Sequence, residues 1–302
     1  MGVEYTILVL VKQVPDTQNI TGEAMKPDGT VNRAALPAIF NPEDLCALEL
    51  ALQLKDRFGA KVMVGTMGPP NAAEVLREAL YRGADEAVLL TDRAFAGADT
   101  LATSYALSCC AKKIGKYDLI LCGRQAIDGD TAQVGPQLAE KLNLPQIAYV
   151  EDVLELSKKK VKARRAIEGG YEILECPLPA LLTVLDTPDN EARPATARKI
   201  MKFKKAKTRA ELHAAHSGAD YTDAEALAAE QENLRKAGLW IHEWGAADVA
   251  ANPERVGLKG SPTKVKQIES VVLKGGTFKR VEPTEAGIAV LMHELIADHT
   301  LG

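Results

Sequence analysis

The residues best suited to chemistry lie between Gly123 and Pro136, in the order GRQAIDGDTAQVGP. The stretch mixes small residues (Gly123, Ala126, Gly129, Ala132) with the carboxylates Asp128 and Asp130. Gln125, Thr131 and Gln133 add hydrogen-bonding groups, and Arg124 adds a guanidinium. Glycines let a backbone approach a ligand closely. The stretch follows the apolar run Tyr117–Cys122, which reads as a buried parallel strand. It precedes a helix marked by Val134, Leu138 and Leu142. The first helical turn has N–H groups without intrahelical partners, and the helix dipole places partial positive charge there. Strand, polar loop and helix start together predict a cradle for a nucleotide or anion. Asp130 and Gln133 have the spacing of a capping box for a helix over Thr131–Leu142.

The elements that must position this loop alternate. Apolar runs at Tyr5–Val11, Lys61–Met67, Glu86–Leu90 and Tyr117–Cys122 predict strands. Helical patterns fall between and after them, at Pro42–Phe58, Pro70–Arg82, Thr100–Ile114 and Thr131–Leu142. Pro42 and Pro70 suit a first helical turn. The fold class is therefore α/β, a Rossmann-like, mostly parallel sheet with helices on both faces. Ligands of such sheets sit beyond the carboxyl ends of the strands. That rule points to four loops: Lys12–Asp16, Asn41–Asp44, Thr66–Pro69 and Gly123–Asp130.

From about Gln146 the pattern changes to strands without helices, at Val153–Leu156, Val161–Ile167, Tyr171–Cys176 and Ala180–Leu185. Gly169-Gly170 reads as a hairpin turn. These strands predict an antiparallel extension of the sheet, or a flap upon it. Arg198, Lys199, Lys202, Lys204, Lys205 and Lys207 form a basic segment, either a solvated surface helix or a docking segment for an acidic partner. Residues 209–236 read as a polar helix pair, and Glu285–Asp298 as a final amphipathic helix. The chain thus divides into an α/β nucleotide-binding domain over 1–208 and a C-terminal insertion and arm over 209–302. The arm has little core of its own and is expected to lie along another subunit.

Composition narrows the function classes. The 302 residues are 46% hydrophobic, enough for a substantial core. A formal net charge of -4 argues against nucleic acid as a partner. Apolar runs such as Ile7–Val11 are too short to span a bilayer, so no membrane insertion is expected. No signal-peptide pattern is visible, and the expected location is the cytoplasm. Met1–Thr6 fits the loose N-acylation pattern, but Tyr5 onward reads as the first buried strand. Cys46, Cys109, Cys110, Cys122 and Cys176 form no C-x-x-C pair and read as reduced core thiols.

All five histidines (His213, His216, His242, His293, His299) follow residue 208. A histidine acid or base is therefore excluded from the nucleotide-binding half. No nucleophile elbow, Walker loop or G-x-G-x-x-G occurs. His213 and His216 lack a convincing set of co-ligands, and Asp128 and Asp130 suit capping or ligand hydrogen bonds better than a metal. No catalytic residue and no metal ligand are assigned. The ligand is then regulatory, or a cofactor that brings its own chemistry.

Longer motifs carry a resemblance. They include Val11-Lys12-Gln13-Val14-Pro15-Asp16, Asn41-Pro42 with Ala47, Leu48 and Glu49, and Thr66-Met67-Gly68-Pro69-Pro70. Gly83-Ala84-Asp85-Glu86-Ala87, the Gly123–Pro136 loop, Arg165–Glu172 with Leu178-Pro179-Ala180, and Gly257–Val265 continue the series. In these the chain resembles the β subunit of electron transfer flavoprotein. The resemblance implies a heterodimer with the family's α subunit and an adenine nucleotide in the loops above. In the ordinary carriers that nucleotide is AMP; in the electron-bifurcating type it is FAD, which takes hydride from NADH. Asp92–Ser104 and Gly129–Pro136 resemble the bifurcating type.

By resemblance, N–H groups around Thr131, Ala132, Gln133 and Val134 would hold the diphosphate. Asp99, Thr100 and Thr103 would line its ribityl side. Leu10, Asn41, Asp44, Met67 and Gly123 would surround adenosine, with Thr66 beside them. Arg124, Gln125 and Ala126 would run along the cofactor, and Asp128, Gly129 and Asp130 would complete the loop. Asn41 and Asp44 also read as helix caps. The implied work is flavin-dependent electron transport from NADH to ferredoxin or flavodoxin, and through the α-subunit FAD to an acyl-CoA or related dehydrogenase. A plain carrier binding AMP, and a nucleotide-sensing α/β protein, remain the alternatives. Ala197-Arg198-Lys199 stands where ordinary carriers have an apolar anchor, and residues 209–256 exceed the usual linker.

Overall fold

Successive residues of the first strand serve two different cores. Ile7 and Val9 pack in one apolar cluster with Leu48, Leu52, Leu76 and Leu80. Leu8 and Leu10 pack in another with Leu107, Ala111, Leu138 and Ala139. A strand covered on both faces has no polar positions, which is why it reads as an unbroken apolar run.

The computed structural model describes residues 5–16, 37–216, 224–263 and 280–297. Met1–Glu4 of the acylation pattern, Val265, Asp298 and His299 lie outside them. The chain opens with β1 (Tyr5–Leu10), the short strands β2 (Gln13–Pro15) and β3 (Ala38–Phe40), and α1 (Pro42–Phe58). Then follow β4 (Ala60–Met67), α2 (Ala73–Arg82), β5 (Glu86–Leu90), α3 (Thr100–Ile114), β6 (Leu119–Gly123) and α4 (Val134–Leu142). Next come β7 (Gln146–Leu156), β8 (Lys160–Ile167), β9 (Gly170–Pro177) and β10 (Ala180–Val184). The rest is α5 (Ala197–Phe203), α6 (Arg209–His216), α7 (Ala224–Lys236), β11 (Ile241–Trp244) and α8 (Glu285–Ala297).

Among the described residues the main sheet runs β11-β5-β4-β1-β6-β10-β7-β8-β9. Its pairs from β11 to β7 are parallel, and β7-β8 and β8-β9 are antiparallel. This is the α/β sheet that the alternating pattern predicts, with α1 and α2 on one face and α3 and α4 on the other. Each fully buried Leu or Ile in these layers contributes about 1.5–3 kcal/mol. No helix among the described residues is long and apolar enough to cross a membrane.

Several boundaries differ from the sequence reading, each for a physical reason. Residues 180–184 do not join an antiparallel set: β10 inserts parallel between β6 and β7. β7 begins at Gln146, seven residues earlier than its alternation suggests, because bulges near Asp152 and Glu155 break its period. The hairpin turn is Glu168-Gly169, since Gly170 already pairs with Ile167; Gly169 has φ 78°, which favours glycine. Pro70–Ala72 is a separate 3-10 turn before α2. Past residue 208, β11 pairs with β5, while Val249 and Val256 bury against Val88, Leu90 and Phe95.

The basic segment forms α5, whose Lys199 Nζ donates to the Arg82 carbonyl at 3.2 Å. Lys207 pairs with Glu230 of α7 at 3.2 Å. His216 places Nε2 at 3.1 Å from the same Glu230, and its Nδ1 lies 2.9 Å from the Leu212 carbonyl.

Candidate nucleotide site

The chain order reverses at β1: β4 and β5 lie to one side, β6 and β10 to the other. Such a switch point leaves a crevice at the carboxyl ends of the strands. Here it is a cleft of about 430 Å³, walled by the ends of β1, β4 and β6 and the starts of α3 and α4. Of the residues expected there, all but Asn41, Thr66 and Asp128 line it.

Three side chains at the start of α1 hold the far wall. Asp44 Oδ1 accepts the Gly123 N–H at 2.8 Å, and Oδ2 accepts the Lys12 N–H at 2.9 Å, tying β6 to β1. Glu43 accepts the Gln125 N–H at 2.9 Å and an Arg124 Nη2 bond at 2.6 Å. Asn41 Nδ2 donates to the Gln125 carbonyl at 2.9 Å, and Oδ1 accepts the Ile127 N–H at 3.1 Å. Asn41 therefore neither caps α1 nor faces the cleft; it is fully buried as a staple on the 125–127 loop. Gly123 makes the approach possible, because a Cβ there would stand 2.7 Å from Asp44 N and Glu43 C. Burial pushes the Asp44 carboxyl up to about 7, against the pull of the Gly123 N–H, the Asn41 side chain and the Lys12 N–H.

Asp128 turns outward to Lys12, with Nζ at 2.6 Å. Thr66 is buried one residue before Met67, and its hydroxyl has no hydrogen-bond partner among the described residues. Arg124 extends over the Tyr149 ring at 6.0 Å while paired with Glu43, so its charge is already partly matched.

The loop meets α4 without the expected capping box. Asp130 and Ala132 have φ 46° and 51°, and the helix starts three residues late, at Val134. Its N-cap is Gln133, which makes no side-chain cap. Asp130 instead accepts a Gln125 Nε2 bond at 3.1 Å, and Gln133 Oε1 accepts the Thr100 hydroxyl at 2.8 Å. The left-handed turn pulls Asp130 away from the helix end.

Among the described residues, no acceptor meets the N–H groups of Thr131, Ala132, Gln133, Val134 or Gly135. A positive-φ residue followed by a right-handed one makes consecutive N–H groups converge into an anion-binding nest. Positive φ at non-glycine residues costs about 1–3 kcal/mol each, and such strain clusters at ligand sites.

The opposite wall is α3. Asp99 caps it, accepting the Ala102 N–H at 2.9 Å, and also accepts the Thr263 N–H at 3.0 Å. Burial acts to raise the Asp99 carboxyl, but the N–H groups of Ala102, Thr263 and Leu101 and the Ser261 hydroxyl outweigh it and hold it low. Ser104 donates to Gln137 at 2.9 Å, fixing α3 against α4.

Phe95, Leu107, Cys122 and Leu138 also line the cleft, and none was singled out from sequence. The strand-end rule finds Cys122 and, applied to β5, Phe95. Leu107 and Leu138 carry no local signal, because cleft and core leucines look alike.

Comparison with known proteins finds relatives along most of the chain. The electron transfer flavoprotein domain family matches residues 28–214. The chain is 43% identical to an electron transfer flavoprotein subunit beta of Clostridium acetobutylicum, covering 97% of this chain and 98% of that one. It is 44% identical to the caffeyl-CoA reductase-Etf complex subunit CarD of Acetobacterium woodii, over 89% of each chain. It is 38% identical to the acryloyl-CoA reductase electron transfer subunit gamma of Anaerotignum propionicum, covering 95% of this chain and 91% of that one.

Proposed function

The chain belongs to the electron transfer flavoprotein family, and on that footing we propose that it is the β subunit of an electron-bifurcating heterodimer. In this reading it holds FAD in the cleft. NADH is the electron donor; ferredoxin or flavodoxin takes one electron, and the α-subunit FAD passes the other to an acyl-CoA-type dehydrogenase. The two CoA-reductase relatives support that class of final partner.

The observation that carries the reading is the row of N–H groups from Thr131 to Gly135 that meet no acceptor among the described residues, at the start of α4 and beside the positive-φ Ala132. Five unmet donors suit an acceptor-rich group such as a diphosphate. The residues present fit a dinucleotide in other ways. Leu10, Met67, Phe95, Leu107 and Leu138 give apolar wall that excludes water, and Gly129 faces open space where a Cβ would point. Asp99, Thr100 and Thr103 border the opposite side.

When bound, FAD supplies the hydride acceptance and one-electron release that the chain's own residues do not. The chain's part is to bind, orient and desolvate. Thr131–Gly135 hold the diphosphate, and Arg124, placed by Glu43, balances negative charge along the loop. Asp44 keeps the β1 and β6 ends at a fixed separation. No residue of the cleft is assigned a proton-transfer role.

The test is to purify the chain with its α partner, denature the complex, and count FAD and AMP by chromatography. Two FAD per heterodimer, one of them bleached by NADH, is the expected result. One FAD with one AMP identifies a plain carrier and ends the bifurcation reading. A colourless chain that binds ATP alone would instead mark a nucleotide sensor.

A further inference from the structure

Helix α3 turns Thr100, Thr103 and Leu107 to the nucleotide cleft, and Leu101 and Tyr105 to a second cavity of about 340 Å³. Lys141 at the end of α4, with Glu254, Arg255 and Lys259–Pro262, closes that cavity. It collects three cations, Lys141, Arg255 and Lys259, against one carboxylate, Glu254. Lys259 lies 3.2 Å from Glu254. Lys141 and Arg255 have no carboxylate within ion-pair distance among the described residues.

Arg255 is held in place by a ring. The Arg255 guanidinium stacks 4.1 Å over the Tyr105 ring, and Tyr105 Oη accepts the Asn252 N–H at 3.0 Å. The loop beyond is bolted to α3. Ser261 Oγ accepts the Asp99 N–H at 2.8 Å and donates to the Gly257 carbonyl at 2.7 Å. Gly257 has φ 56°, and a Cβ there would lie 2.1 Å from the Ala94 carbonyl oxygen, so the loop has one seating. Burial and the neighbouring Arg255 hold the Lys141 ammonium below its ordinary value, outweighing the opposite pull of Asp99 and Glu140.

We propose that this cavity is a second anion site, which takes a small phosphate-bearing ligand. Three cations less one carboxylate leave a net charge of about two, matched by a phosphate dianion. The cavity is larger than one phosphate and has an apolar wall at Leu101 and Pro262, which suits a phosphate ester. The site does not depend on which nucleotide fills the main cleft.

The test uses the intact heterodimer in titration calorimetry at constant ionic strength, with inorganic phosphate and, separately, ribose 5-phosphate. Saturable binding is expected, weakened at least tenfold by Lys141→Met and by Arg255→Gln, and retained in Lys141→Arg. Flavin and nucleotide content stays unchanged, which separates this site from the main cleft. Tighter binding of ribose 5-phosphate marks an ester as the ligand; equal binding marks free phosphate. Absence of saturable binding, or binding untouched by both charge-removing variants, overturns the proposal.

Discussion

Gly135→Ala places the start of α4 under a defined stress. Gly135 is the second residue of the helix, where alanine is the better helix former by about 0.8–1.0 kcal/mol. The added Cβ, however, would stand 2.6 Å from Thr183 Cγ2 and 3.1 Å from Cys122 Sγ. Both neighbours belong to buried central strands, Thr183 being 2% exposed, so neither moves easily. Overpacking of this kind costs about 1–3 kcal/mol. The net expectation is a loss of up to about 2 kcal/mol.

Thr183→Ser removes the clashing methyl and keeps the hydroxyl that accepts the Tyr149 N–H at 3.1 Å. Alone it costs about 1 kcal/mol, as for one buried methyl. In the double variant the new Cβ fills the space the methyl leaves. The two losses should therefore fall short of additivity by about 1 kcal/mol or more. Urea denaturation of the heterodimer at fixed concentration reads all four stabilities, and flavin content reports whether the α4 start has shifted. Strict additivity, or a Gly135→Ala variant more stable than wild type, would refute the packing argument.

Other perturbations have equally definite outcomes. Asp44 titrates near 7 when folded against 3.8 ordinarily, so the folded chain retains a proton that the unfolded chain has lost between those values. Its contribution to stability is therefore full below pH 4 and falls by about 1.4 kcal/mol per pH unit up to pH 7. Denaturation across that window should show the slope in wild type and its loss in Asp44→Asn. Ala132→Gly, which relaxes φ 51°, should leave stability unchanged or raise it by about 1 kcal/mol in the same assay; a loss would argue against strain in the loop. Arg193→Met removes the guanidinium held 2.9 Å from the buried Glu49 carboxylate and leaves it the residue-193 N–H at 3.0 Å; it should cost about 1–3 kcal/mol in thermal unfolding. Burial pushes the Cys46 and Cys110 thiols up to about 12, so a thiol reagent at pH 8 should label them only on unfolding.

Much of the frame was legible because burial on two faces removes polar positions from a strand. β1, β4, β5 and β6 read clearly for that reason, and the helices between them carry their own apolar stripes. The loop that borders the cleft was legible because glycines, short polar residues and a helix start stood together after a strand. Asp44 and Gly123, both expected at the cleft, do line it, but the bond between them has no sequence signal, since they lie 79 positions apart. Glu43 looked like any first-turn acid, although it is buried beneath Arg124 and Gln125. The capping box failed because Asp130 and Ala132 adopt a left-handed backbone that composition does not betray.

By itself the sequence determined the alternation of strand and helix, the absence of histidine from the first half, and the polar loop that follows the strand ending at Gly123. These are local properties, set by side-chain period, turn chemistry and residue type. Tertiary structure decided the strand order that opens the cleft beside β1, the insertion of β10, and the return of β11 to the sheet edge. It also decided that α4 begins without a side-chain cap, at the edge of the cleft, while Asp130 bonds Gln125 instead. Strand neighbours and loop backbones are chosen by competition for buried area and hydrogen bonds among distant segments, and that competition leaves no periodic trace along the chain.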